Sequence, residues 1–432
     1  MHDSASNRRD KDHETKYTTV APLLLSPGLD AHSGAMFNNK GQAILPSPTL
    51  TATRIDRFMQ ASDTLIAGPL PTTHIKKESP MTTLLTTVRA GRYELANRVA
   101  MAPMTRSRAQ YDGTPGELAA LYYGQRASVG LVISEGTQPS DDGQGYLVTP
   151  GIYTDAHVAG WKSVADAVHA KGSRLFIQLM HAGRMSHPDN TPHHRAPVAP
   201  SAIAPGAPMF TATGMQDIPT PRALSTEEVQ ATVADFRLAA RRAIEAGADG
   251  VEIHGANGYL PHQFFAPNAN TRGDQYGGEI ANRVRFALEV VAAVAGEIGA
   301  DRTAIRLSPG STAGGIAEGA QGPDLYRHLV AELDKLGLAY LHLMDQGDEP
   351  LLRDLRAAWH GTLVLNRPGR AREQIGQDVA SGLADVEAIG QLVLANPDFL
   401  TRLSTGAPMN QPRHDTYYGG TEVGYTDYPA LA

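Results

Sequence analysis

The stretch STEEVQATVADFRLAARRAIEAGADGVEIH, Ser225 to His254, decides the fold. Ser225 and Glu228 stand at capping-box spacing, so each side chain satisfies a backbone N–H of the other at a helix start. Val229, Val233, Phe236, Ala240 and Ile244 then recur along one face, and Gly247 supplies the stop. Three residues on, GVEIH (250–254) is a short apolar run, the pattern of a buried strand. A long amphipathic helix delivering the chain into a buried strand is half of a βαβ repeat.

Working outward, eight runs of this kind follow one another: RVAMAPM (98–104), GLVISEG (130–136), LFIQLMH (175–181), GVEIH (250–254), TAIRLSP (303–309), YLHLMD (340–345), TLVLN (362–366) and DVEAIG (385–390). Helical patterns separate most of them. Near-continuous apolar strands are buried on both faces, which predicts an α/β fold of the closed TIM (β/α)8 barrel type. Chemistry in such a barrel sits at the C-terminal ends of the strands. Gln178, His181, His254, Arg306, Asp345 and Asn366 all fall at or near those ends.

Residues 1–80 lack any sustained period and predict a disordered extension, leaving 81–432 as the barrel domain. The chain has 432 residues, a formal charge of -7 and no basic block, which argues against nucleic acid or a membrane surface as partner. With no cysteine it has no disulfide, thiolate nucleophile or cysteine-held metal. No run approaches a membrane span, so the expectation is a cytoplasmic protein, monomer or homodimer, acting on small molecules.

The segments NRVAMAPMTRSRA (97–109), FIQLMHAGRMSHP (176–188), HGANGYLPHQFFAPNANTRGDQYGG (254–278), LANPDFLTRL (394–403) and YYGGTEVGYTDYP (417–429) closely resemble the Old Yellow Enzyme family of flavin-dependent ene-reductases. The resemblance implies FMN as cofactor, NADPH or NADH as hydride donor, and activated alkenes (enones, enals, maleimides, nitroalkenes) as substrates. Residue by residue, it implies that Thr105 bonds the flavin O4, that Gln178 meets the pyrimidine edge and that Arg306 lies near N1 and O2. Pro103, Met104, Gly136, Asn366, Gly390 and Gln391 would complete the cofactor contacts. His254 and Asn257 would grip the substrate's activating oxygen, and Tyr259 would protonate the alkene carbon. Tyr146 and Tyr425 would line the pocket mouth, with Met180 where many relatives carry tryptophan.

Two departures bear on the flavin phosphate. The strand 8 position that is arginine in many relatives is Gln391, and the turn after strand 7 reads NRPGR (366–370). Arg367 is therefore expected to supply the missing charge, with Arg370 turned to solvent. Two rival readings are a metal-dependent hydrolase built on His181, His187, His193, His194, His254 and His262, and a barrel that stores flavin without turnover.

Overall fold

The computed structural model describes residues 80–431 and, before them, only the antiparallel strand pair Met36–Phe37 with Ala43–Ile44. The chain divides into two units, Met1–Lys76 and Lys77–Ala432. The expectation for residues 1–80 otherwise falls outside the described residues.

The second unit is a closed barrel of eight parallel strands. They are β1 (Val99–Met101), β2 (Leu131–Ile133), β3 (Arg174–Leu179), β4 (Gly250–His254), β5 (Thr303–Leu307), β6 (Tyr340–Met344), β7 (Leu363–Asn366) and β8 (Val386–Ile389). Each pairs with its neighbours in sequence, and β8 closes on β1 through Ala388↔Ala100. Seven lie within the runs read from sequence, and β3 begins one residue before its run, at Arg174.

Side chains alternate between the two faces of each strand. Ala100, Leu131, Ile133, Phe176, Ala304, Tyr340, Val364, Val386 and Ala388 pack together as one set inside the barrel. The intervening residues, such as Ile177, Val251, Ile253, Ile305, Leu341 and Leu365, join the larger cluster beneath the helices. A hairpin, Val88–Ala90 with Tyr93–Leu95, adds Ala90 and Leu95 to the inner set.

The helices include α1 (Glu117–Arg126), α2 (Asp155–His169), α3 (Thr226–Glu245), α4 (Leu260–Phe265), α5 (Arg285–Ile298), α6 (Gly322–Asp334), α7 (Glu349–Ala358), α8 (Gln377–Ser381) and α9 (Gln391–Ala395). α3 starts at the expected capping box and buries Val229, Phe236, Ala239, Ala240 and Ala243. Such a cap contributes about 1 kcal/mol and each large buried apolar side chain about 1.5–3 kcal/mol, so burial rather than the cap dominates. Among the described residues no helix is long and apolar enough to cross a membrane.

Candidate active site

Where the inner set ends toward the C-terminal edges of the strands, polar residues replace apolar ones. Register places Gln178 on β3 opposite Glu252 on β4, and His254 opposite Arg306 on β5, itself opposite His342 on β6. Gln178 Nε2 donates to Glu252 Oε1 at 2.7 Å, and His342 Nδ1 lies 2.8 Å from Glu252 Oε2. Burial pushes the Glu252 carboxyl up, but His342, Arg306 and Gln178 outweigh it and hold the group below its ordinary value. Arg306 Nη2 donates to Asn366 Oδ1 at 3.0 Å, and Asn366 Nδ2 donates to the Ala388 carbonyl. A charged, hydrogen-bonded layer thus caps the apolar barrel interior.

Above that layer, several buried polar atoms have no partner within the protein: Arg306 Nε, His254 Nδ1 and Asn257 Oδ1. Unpaired buried groups are costly, so their concentration at the strand ends marks where a polar ligand belongs. Burial, then the charge of Arg306, holds His254 well below its usual value; the ring is neutral.

The loop after β4 is shaped by its backbone. Asn257 sits in the left-handed region at φ 54°, and Gly258 at φ 81°. A Cβ on Gly258 would lie 2.3 Å from the Ala313 carbonyl oxygen, so the position needs glycine for space as well as for angle. Ser308 Oγ accepts the Asn257 N–H at 2.9 Å, and His262 Nδ1 accepts that of Gly258 at 3.0 Å. His262 Nε2 in turn meets Glu318 at 2.8 Å, which also accepts from the Tyr326 hydroxyl at 2.6 Å. This strut aims Tyr259, the N-cap residue of α4.

The Tyr259 ring stands edge-on to His254 at 4.9 Å, and its hydroxyl lies 3.2 Å from that of Tyr146. Burial, reinforced by Tyr146, pushes the phenol well above its usual value, so it is fully protonated at neutral pH. The structure therefore brings His254, Asn257, Tyr259 and Tyr146 together.

A cavity beside this group is lined by Ala102, Pro103, Met104, Arg306, Asn366 and Arg367, closing at Glu387, Gly390 and Gln391. Thr105, half-buried, directly follows Met104. Gly136 is required by Met180: an added Cβ would lie 2.4 Å from its sulfur.

Over residues 83–410 the chain matches the model of the NADH:flavin oxidoreductase / NADH oxidase family. It belongs to that family. It is 44% identical to 12-oxophytodienoate reductase 2 of Arabidopsis thaliana, over 81% of this chain and 96% of that protein. Its fold superposes on morphinone reductase in complex with tetrahydroNAD with a TM-score of 0.78 at 46% identity, covering 81% of this chain and 98% of the other. The Old Yellow Enzyme homologue from Zymomonas mobilis also gives 0.78, at 38% identity and with 81% and 100% covered. The sequence resemblance to Old Yellow Enzymes thus holds: the protein is an FMN-dependent alkene reductase that takes its electrons from a nicotinamide.

The isoalloxazine end of FMN fits the unpartnered Arg306 and the apolar strip Ala102–Met104 in this family's cavity. The phosphate end differs from expectation. Arg367 lines the cavity, but its guanidinium is held by Asp345 at 2.6 Å, Glu349 at 2.5 Å and Asp378 at 2.8 Å. Arg370 faces inward rather than to solvent, pairing with Asp378 at 2.6 Å and Glu387 at 3.3 Å. These acids lie far from the arginines in sequence, so their convergence could not be read from NRPGR.

Tyr425 also departs from its expected place. It is buried, stacked on Tyr122 at 4.2 Å between the guanidiniums of Arg106 and Arg108. The aromatic of that segment close enough to act electrostatically on both Tyr146 and Tyr259 is Tyr418, 70% exposed and missed in the sequence. Four tyrosines in one short motif offer no signal to separate them. The histidines considered as metal ligands serve separate ends: His181 accepts from the Gly183 amide, His187 from that of Asp189, and His262 braces Gly258.

Proposed function

We propose that Tyr259 is the proton donor of the reaction and that His254 and Asn257 bind the activating oxygen of an enone, enal, maleimide or nitroalkene. Bound FMN supplies hydride chemistry at the alkene carbon remote from that oxygen. Neutral His254 and the Asn257 amide donate hydrogen bonds to the substrate oxygen, which stabilises the enolate-like charge that grows there. Tyr259 holds its proton until the neighbouring carbon becomes basic, then releases it, and the Tyr146 hydroxyl is placed to stabilise the phenolate left behind. Gln178, fixed by Glu252, and Arg306 would hold the pyrimidine side of the flavin, and Thr105 would offer its hydroxyl to the same ring. Met180, a soft and narrow side chain, leaves a roomy substrate cavity.

The observation that carries this reading is the grouping of a protonated Tyr259 with the unpartnered Nδ1 of a neutral His254, Asn257 standing between them on the same loop. The same reading makes the protein cytoplasmic, a monomer or homodimer, able to draw on NADPH as well as NADH. It also takes the barrel domain as 81–432, in line with the family match that begins at residue 83. The test is the visible spectrum of the purified protein under anaerobic conditions. A yellow sample bleached by NADPH and recoloured by cyclohexenone is expected; a flavin that NADPH reduces but no activated alkene reoxidises would overturn it.

A further inference from the structure

The far end of the flavin cavity is dominated by acids. Arg367 and Arg370 between them meet Asp345, Glu349, Asp378 and Glu387. Arg353 approaches Glu349 only at 3.9 Å from an exposed position, and the cluster stays net negative with it included. Asp378 and Glu387 are 5% and 2% exposed, so guanidiniums drawn away by another anion would leave two buried carboxylates short of partners, a strongly unfavourable exchange. Glu387 points outward from β8 and lines the cavity. Its carboxylate already accepts the backbone N–H groups of Gly376 at 2.8 Å, Asp378 at 3.0 Å and Val379 at 3.4 Å. Donors of the β7–α8 loop are thus taken by a side chain of the protein itself, and Gln391 adds no charge.

We propose that the flavin phosphate contributes little to cofactor retention in this protein, so that unphosphorylated riboflavin is held nearly as well as FMN. The inference rests on the flavin reading above and concerns only one end of the cofactor. A charge-assisted hydrogen bond to a phosphate ordinarily strengthens binding by about ten- to a hundred-fold, and two such arginine contacts would multiply. Here both guanidiniums are neutralised before the dianion arrives.

The test strips the flavin from the holoenzyme and titrates the protein with FMN and with riboflavin, following quenching of flavin fluorescence. FMN is expected to bind less than about ten-fold more tightly than riboflavin; a larger preference overturns the proposal. Glu387→Gln keeps an acceptor for the loop amides and removes one charge, and Glu349→Gln does the same at an exposed position where folding is not at risk. Each should tighten FMN and leave riboflavin unchanged, and no change in either, or an equal change in both, counts against the idea. Binding of neither flavin overturns the functional reading together with this one.

Discussion

Replacing Tyr259 by Phe separates the two halves of the catalytic cycle. The hydroxyl removed is partly buried, stays protonated at neutral pH and has one hydroxyl neighbour, that of Tyr146 at 3.2 Å. Hydride donation by a nicotinamide needs no acid, so flavin reduction should change by no more than about two-fold, the effect of losing a weak neutral hydrogen bond. Alkene reduction loses its proton donor, and a positioned general acid is worth about 10²–10⁴-fold. Tyr146→Phe provides the control: the acid remains and only its partner is lost, about 0.5–1.5 kcal/mol, or roughly two- to ten-fold in the oxidative half. Stopped-flow absorbance of the flavin, recorded separately with NADPH and with cyclohexenone, reads both steps. Equal slowing of both halves in Tyr259→Phe, or a Tyr146→Phe enzyme as impaired as Tyr259→Phe, would refute the assignment.

Three further outcomes follow from the same geometry. Gly258→Ala forces a Cβ against the Ala313 carbonyl at a positive φ, so thermal stability should fall by about 1–3 kcal/mol and cyclohexenone binding should weaken, both measurable by a melting scan with and without ligand. Burial holds His181 down to about 4, below the 6.5 of an unfolded chain; its contribution is complete above pH 6.5 and is lost as pH falls toward 4, by about 3 kcal/mol in all. His181→Asn, which keeps an acceptor for the Gly183 amide, should flatten that part of the stability profile, and an unchanged acid limb would assign the loss elsewhere. A protein starting at Met81 should purify yellow and active; loss of FMN or solubility on removing residues 1–80 would place the boundary wrongly.

The strands were legible because period-two burial and apolar runs are local properties, and so was the α3 cap, where Ser225 and Glu228 lie three residues apart. His254, Asn257 and Tyr259 were legible because one loop carries them all. What escaped was assembled across the chain. The strut from Gly258 through His262 to Glu318 and Tyr326 joins two loops and two helices. The acids around Arg367 arrive from the loop after β6, from α7 and from α8. A charge pattern along the sequence names donors but not which acids reach them first, and that competition turned the expected phosphate arginine into an occupied one. Tyr418 and Tyr425 show the same limit in aromatic form: identical side chains seven positions apart differ only in which neighbours the fold gives them.

The clasp at the end of the chain has a consequence of a different kind. Arg106 and Arg108, just past β1, bond the carbonyls of Thr416, Tyr417, Thr421, Val423 and Gly424, and Arg126 bonds that of Tyr425. The loop after the first strand of the barrel is therefore fixed only when a segment 310 positions further along the chain is in place. A chain lacking the residues from Thr416 onward keeps the sequence of all eight strands and Tyr259 yet lacks Tyr418 and the carbonyls that Arg106 bonds, while Arg108 keeps only that of Arg106 and Arg126 keeps those of Tyr122 and Leu394. A segment distant in sequence thus secures the loop that leaves β1, and a variant lacking that segment is expected to fail in finishing the pocket wall.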